Sequence, residues 1–499
     1  MNAKRTIVAA AALAAACVTG RASAQATAPE ATTGASTGAV TTSPDRYQQL
    51  EDRLRALEAD AAVHEDAKRR GGEGGGNDGG AFRFSGRPEW VRPELWMWPG
   101  FRAEETKDML IGSSSNIDLY MGLHAAGRFQ YLEQQDVTIN GAEGIDLEPS
   151  FQTAWGDIAF MADVSDGAIL VFFDLYLSSR PHPSTTYGNE GYMLFRRIPG
   201  ESGVSDFLNK SIFEHVNVKA GHFEIDFGDA HYRRSDNAWV SRNLLIGNYL
   251  VDPDVEEIGM EIFSKPHWPV KGLFGVTSGT TTENINEGRG LASVHGKIWV
   301  DATDDLRLSV SGYYVDHSDN PPSGAGSTSG RLYSSRRSGG PYAGVWGGGN
   351  SPGDLTIGAD ELVTALQGDV TWMPRPWEFY GNVGWVEDAD PNGSLSGKPT
   401  ERWTYGSVEA AYFFDQRTYV AGRYSFALAS DVKGEGSDGM INRGQVGGGY
   451  WLTRNTLVKA EYVYQVANGF DSDDGLVGGV DVAEDPSFTG VLLEVSFKF

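Results

Sequence analysis

The sequence predicts an all-β fold: a transmembrane antiparallel β-barrel of about 16 strands, preceded by a short N-terminal periplasmic coiled-coil helix. Three observations carry this. The stretch Val491–Phe499 places an apolar side chain at every odd position and Glu494, Ser496 and Lys498 at even ones, so a strand of period two has one wholly apolar face. Left bare, that edge invites aggregation, and closing it into a barrel removes the edge. Similar alternation recurs from Ile117 onward, and the connections between the alternating runs are short and long in turn. After the N-terminal leader, no stretch approaches the roughly 20 apolar residues that a membrane helix needs.

The chain begins with Lys4 and Arg5, an apolar run from Thr6 to Val18, and the small-residue site Ala22-Ser23-Ala24. This predicts a signal peptide over residues 1–24. Cys17 is the only cysteine and lies inside that run, so disulfides and thiol chemistry are excluded from the remainder. Residues 25–44, dominated by Ala, Thr, Ser, Gly and Pro, read as a disordered spacer. Tyr47, Leu50, Leu54, Leu57 and Ala61 then form a heptad stripe, giving a coiled-coil helix over residues 45–70 that needs partner helices or a surface for stability. The glycine-rich stretch 71–81 is a flexible linker, and residues 82–499 form the barrel.

Strand starts fall near residues 117, 152, 168, 190, 214, 255, 270, 291, 305, 360, 376, 402, 417, 440, 455 and 487, with the weakest periodicity near Gly191–Ile198. Short links are expected at Ser165–Gly167, Pro266–Pro269, Thr303–Asp304, Pro374–Pro376, Asp415–Gln416 and Thr453–Asn455. Long links are expected at Gly228–Asp254, Gly279–Arg289, Ser318–Ala359, Glu387–Thr400, Ser430–Gly439 and Asn468–Pro486. Tight turns on one side and long loops on the other are the asymmetry of bacterial outer-membrane barrels, whose turns face the periplasm. Trp372, Trp377, Phe413, Phe414 and Trp451 lie beside the short turns, where an aromatic girdle belongs. The expected location is the Gram-negative outer membrane, with outer-membrane lipids around the barrel and the N-terminal extension in the periplasm.

If the apolar faces meet lipid, the lumen is lined by Arg128, Lys297, Arg307, Arg417, Arg423 and Lys459, and equally by Asp157, Asp163, Glu257, Glu261, Asp369, Glu409 and Glu461. Both signs are present, which leaves anion against cation preference open. The net charge of −26 makes nucleic acid an unsuitable partner. His222, Glu224 and Asp226 alternate on one predicted strand face and have metal-ligand chemistry, but a hydrophilic lumen wall requires the same residues, so no metal site and no cofactor is assigned. The loop Ser318–Ala359, with Arg331, Arg336 and Arg337, is expected outside the barrel, with a lid or docking surface as the alternative. No nucleophile elbow, zinc-binding helix or phosphate loop is present, and the expectation is a protein that is not an enzyme.

Val218-Lys219-Ala220-Gly221-His222-Phe223-Glu224-Ile225-Asp226-Phe227-Gly228 resembles the strand entering the constriction loop of the phosphate-selective porin O and P family. The closing Val495-Ser496-Phe497-Lys498-Phe499 is similar to the terminal signal, ending here at Phe499, that the barrel insertion machinery reads. The resemblance covers residues 82–499 in architecture. It implies a homotrimeric pore whose third long loop folds inward, placing Arg233 and Arg234 on the basic side of a constriction together with Arg242 and His231. The implied activity is passive diffusion of small hydrophilic solutes or ions, including anions such as phosphate. The alternative is a structural outer-membrane protein with a plugged barrel and an envelope-tethering coiled coil.

Overall fold

The structure is a computed structural model. It describes Arg87 and residues 97–499, except 136–137, 140–141, 144–146, 153–154, 178–186, 254, 280–292, 317–341, 348–354, 356–361, 390–400, 432–438 and 470–484. The chain divides into two units, Met1–Gly76 and Asn77–Phe499. The expected signal peptide, spacer, coiled coil and most of the linker fall in the first, outside the described residues, as do Arg331, Arg336 and Arg337 in the second.

Sixteen antiparallel strands close the barrel. They are β1 (Ile117–Gln135), β2 (Trp155–Val164), β3 (Ile169–Tyr176), β4 (Tyr187–Phe195), β5 (Val216–Glu224), β6 (Glu256–Ser264), β7 (Val270–Thr277) and β8 (Ser293–Thr303). They continue as β9 (Leu306–Asp316), β10 (Leu362–Trp372), β11 (Trp377–Ala389), β12 (Glu401–Phe413), β13 (Thr418–Asp431), β14 (Met440–Thr453), β15 (Thr456–Asn468) and β16 (Ser487–Lys498). Each pairs with its sequence neighbours, and β16 closes on β1 from His124 opposite Lys498 to Gln135 opposite Ser487. β1 is long enough to pair on its other edge with β2, from Ile117 opposite Val164 to Ala126 opposite Trp155. Below the end of β16, the short strand Met109–Ser113 takes over the same edge of β1, so the seam is covered along its length.

Period-two patterning sets which way each side chain faces. In β9, Val310 is 61% exposed on the outside while Ser309 and Ser311 are buried within. β16 does the same: Val491, Val495 and Phe497 lie outside, and Leu492, Glu494 and Ser496 inside. The exterior is therefore an apolar belt and the interior carries the charge, an inversion of the soluble arrangement that suits lipid as the outer solvent.

The tight connections 165–168, 265–269, 304–305, 373–376, 414–417 and 454–455 lie at one end of the barrel, here the turn end. One connection there departs from the expected brevity. Residues 196–215 hold helix Gly203–Leu208, started by a Ser202/Ser205 capping box. Outward aromatics gather at the turn end: Trp372 stacks on Phe379 (5.2 Å), Trp377 meets Tyr412 (4.8 Å), and Tyr412 meets Phe414 (5.1 Å). Phe413 and Trp451, expected in this girdle, face inward instead and pack with Met97, Phe101, Leu244 and Leu245. Strand parity decides this, since Phe413 alternates with outward Tyr412 and Phe414. The expectation that Ser318–Ala359 stays outside is corrected in part. Tyr342, Val345, Trp346 and Leu355 are buried in the barrel core, drawn in by apolar contacts such as Trp346 against Phe488 (5.9 Å).

Candidate functional site: a loop spanning the lumen

Between β5 and β6 lies the third long connection, residues 225–255, here loop 3. Every described residue in it is buried except half-buried Ser241. It turns inward because Ile225, Phe227, Tyr232, Trp239, Leu244, Ile246, Leu250 and Val251 need an apolar setting that an external loop does not supply. β5 ends irregularly before it. Gly221 has φ +144°, and a Cβ there would clash with the Gly191 carbonyl on β4, so the close approach requires glycine.

A loop enclosed in a lumen must replace water at its backbone groups. Side chains on the wall do this. The Lys459 ammonium on β15 donates to the carbonyls of Val240 (2.9 Å), Asn243 (3.3 Å) and Leu245 (2.9 Å). Glu461, two residues on, accepts from the N–H groups of Ile246 (2.6 Å) and Gly247 (2.9 Å). From β13, Arg423 donates to the Gly247 carbonyl (2.7 Å) and the Tyr419 hydroxyl to the Leu244 carbonyl (3.0 Å). Across the barrel, Lys297 on β8 donates to the Gly228 carbonyl (2.9 Å), and Ser311 on β9 accepts from the Gly228 N–H (3.0 Å). On the β2 side, Asn237 donates to the Gly156 carbonyl (2.6 Å), and the Trp239 indole stacks on His124 of β1 (3.7 Å). Loop 3 therefore touches the wall on opposite sides and crosses the lumen.

The expected constriction residues all lie in loop 3 but differ in state. Arg233 bridges Glu378 on β11 (2.5 Å) and Glu409 on β12 (2.7 Å) beneath the Tyr380 ring. Arg234 pairs within the loop with Asp252 (2.9 Å). His231 binds Glu224 (2.7 Å) and Asp226 (3.3 Å). Burial alone would lower its pKa, but Glu224 and Asp226 outweigh burial and hold it up to about 9. Arg242 is 1% exposed, and among the described residues none of its three guanidinium nitrogens has a hydrogen-bond partner. It lies against the rings of Phe101 (4.4 Å) and Trp239 (5.5 Å).

Of the expected lining residues, Arg128, Lys297, Arg307, Arg423 and Lys459 are buried on the inner wall. Each has a carboxylate partner: Arg128 and Lys459 share Glu494, Lys297 meets Asp229 (2.5 Å), Arg307 meets Asp301 (2.6 Å) and Arg423 meets Glu409 (2.5 Å). Arg417 is a correction. It is exposed in the turn 414–417, where its N–H bonds Asp415, because β13 begins only at Thr418. The grouping of His222, Glu224 and Asp226 is also corrected. β5 ends at Glu224, and buried Glu224 and Asp226 converge on His231, whereas His222 is half-buried. Among the described residues no cluster of three or more His, Cys, Asp or Glu fits a metal ion.

Sequence reasoning missed a second occupant of the lumen, an arm reaching it from the turn end. Met97–Asp108 contains helix α1 (Phe101–Glu105), entered through Gly100 at φ +81°. Trp98 packs edge-on against Phe263 (5.9 Å) and Trp299 (5.6 Å), and the Met97 carbonyl accepts from Arg307 (2.7 Å). Arg87 pairs with Glu378 (2.8 Å) and donates to the Arg242 carbonyl (3.3 Å). Arg102 sits among Asp174 (3.3 Å), Glu190 (3.3 Å), Glu224 (2.8 Å) and Asp236. The available signal was a tryptophan- and proline-rich stretch without alternation, placed between the glycine linker and the first strand.

Two outcomes test this anchoring. Among the described ion pairs Asp229 has only Lys297, so Lys297→Met leaves a buried charge alone and is expected to cost about 3–5 kcal/mol in denaturant unfolding. Lys297→Met with Asp229→Leu should regain most of that loss; a double variant as unstable as the single one contradicts the pairing. Because the pKa of His231 is raised, its contribution is complete below about pH 6.5, the unfolded value, and fades as pH rises through about 9. Thermal stability of the folded protein should therefore fall between those pH values by more than in His231→Gln, and parallel profiles contradict the assignment.

No protein-family model matches the chain, and no curated protein does. Among solved structures it is similar to the outer-membrane channel DcaP of Acinetobacter baumannii, with a TM-score of 0.47 and 10% identity over 78% of this chain and 100% of that one. It is similar to OmpT, an outer membrane protein of Vibrio cholerae, with a TM-score of 0.47 and 10% identity over 78% of this chain and 99% of that one. The third is OmpF of Salmonella typhi in complex with daunomycin, with a TM-score of 0.47 and 11% identity over 78% of this chain and 100% of that one.

Proposed function

We propose that the protein is an outer-membrane channel for passive diffusion of small hydrophilic solutes or ions, and that the form described here is closed. Loop 3 is its constriction and the arm of α1 its second barrier. A closed barrel with an apolar exterior is one of the two architectures that satisfy every backbone group in lipid. About sixteen strands enclose a lumen wider than wall side chains alone can fill.

The observation that carries this reading is Arg242. A guanidinium buried with no hydrogen bond is costly, and replacing such a group by a hydrophobic one stabilises a purely structural core. The plugged, structural alternative has no use for it. A channel does: an unsatisfied donor fork at the constriction receives the carboxylate or phosphate of a passing solute. Arg233, Arg234 and His231 are further basic residues of loop 3, and anions such as phosphate are among the solutes this reading admits. In the same reading the turn end faces the periplasm with the N-terminal extension, Phe499 serves recognition by the insertion machinery, and three copies assemble.

Planar-bilayer recording tests this. Stepwise openings from a mostly closed baseline are expected, and in a salt gradient Arg242→Gln should move the reversal potential toward cations. Folded protein that inserts silently, in wild type and variant alike, would overturn the channel in favour of the plugged barrel.

A further inference from the structure

Around Arg102 five carboxylates converge: Asp157, Asp174, Glu190 and Glu224 from β2, β3, β4 and β5, and Asp236 from loop 3. Glu224 also meets His231 (2.7 Å), and Arg234 lies 3.8 Å from Glu224 and Asp236. Among the described ion pairs Asp174 and Glu190 have Arg102 as their partner. Among the described residues Asp157 is buried with no ion pair and faces the Trp239 indole N–H, and one oxygen each of Glu190 and Asp236 has no hydrogen-bond partner. The pocket thus retains unmet acceptor capacity even with Arg102 in it. Its remaining walls are aromatic: the Arg102 guanidinium carbon lies 5.7 Å from the Trp239 ring and 6.0 Å from Phe101, and Tyr176 donates to Asp236 (2.5 Å). Carboxylates opposite aromatic faces are the chemistry that binds guanidinium and ammonium groups.

Arg102 is also detachable in principle from the wall. The described arm Met97–Glu105 forms no strand pairing with the barrel and is held through side chains, with Gly100 at its bend. Withdrawing it takes Phe101 with it but leaves the sixteen-strand ladder intact, and it leaves an acidic seat walled by Trp239 and Tyr176 at the level of loop 3.

We propose that the seat of Arg102 is a cation subsite of the passage, specific for a guanidinium or primary ammonium group of a solute, and that Arg102 is its built-in competitor. The inference rests on the channel reading above and deepens it. Arg242 lies against the same Trp239 ring, so a solute with a cationic end and a carboxylate end spans the seat and the Arg242 fork together.

The test uses the full chain folded in detergent and L-arginine as the probe, with L-citrulline, of similar shape but uncharged, as control. L-Arginine should raise the melting temperature of Arg102→Ala in a saturable manner and leave wild type unmoved, and citrulline should move neither. Adding Asp174→Asn and Glu190→Gln to Arg102→Ala should abolish the shift. If Arg102→Ala alone does not reach the folded form, its refolding yield with arginine against citrulline reads the same interaction. In bilayers, Arg102→Ala should open more often than wild type and be blocked by arginine. Conductance without arginine stabilisation or block overturns the subsite. Arginine stabilisation of a variant that stays silent supports the seat and overturns the channel.

Discussion

A peptide segment enclosed in a β-barrel loses water at each amide, and the inner wall of this protein is arranged to replace it. Lys459, Glu461, Arg423, Ser311 and Lys297 are lumen-facing residues that spend their hydrogen bonds on the backbone of loop 3. Without them the loop would carry buried unsatisfied carbonyls and amides, each a free-energy cost comparable to a lost hydrogen bond. The apolar residues of loop 3 provide the drive inward, and the wall charges make that position tolerable. The arm, the inward-packed Tyr342, Val345, Trp346 and Leu355, and the ion pairs of the lumen all build on that first arrangement.

The barrel was legible from the sequence because lipid outside and water or charge inside impose a strict period of two, visible in stretches such as Val491–Phe499 and Leu306–Asp316. The alternation of turns and long loops indicates about sixteen strands, and the stretch of weak periodicity near Gly191 is β4, weakened by Gly188 and Gly191. Parity at the strand ends was harder to read. Phe413 and Phe414 are adjacent aromatics facing opposite ways, and Arg417 lies one residue before β13 begins, where alternation no longer applies.

Pairing inside the lumen was not legible. Arg102 meets residues from three strands and a loop that are separated from it by 72 to 134 positions, and no local pattern records such contacts. The same is true of Arg233 with Glu378 and Glu409. Composition shows only that both signs of charge are present; three-dimensional closure decides which remain unmatched. Arg242 and Asp157 are the informative residues for that reason, among the described residues one a cation without a hydrogen bond and the other a carboxylate without an ion pair, both against Trp239. Together they suit a small solute carrying both charges.

The central claim is that loop 3 crosses the lumen as part of the folded interior. Hydrogen–deuterium exchange of the protein in lipid vesicles addresses it directly, since protection requires the amide to be bonded and shielded. The account predicts that the N–H groups of Ile246 and Gly247, both bonded to Glu461, exchange as slowly as those of the neighbouring β15. Exchange as fast as that of a solvent-exposed loop would contradict it.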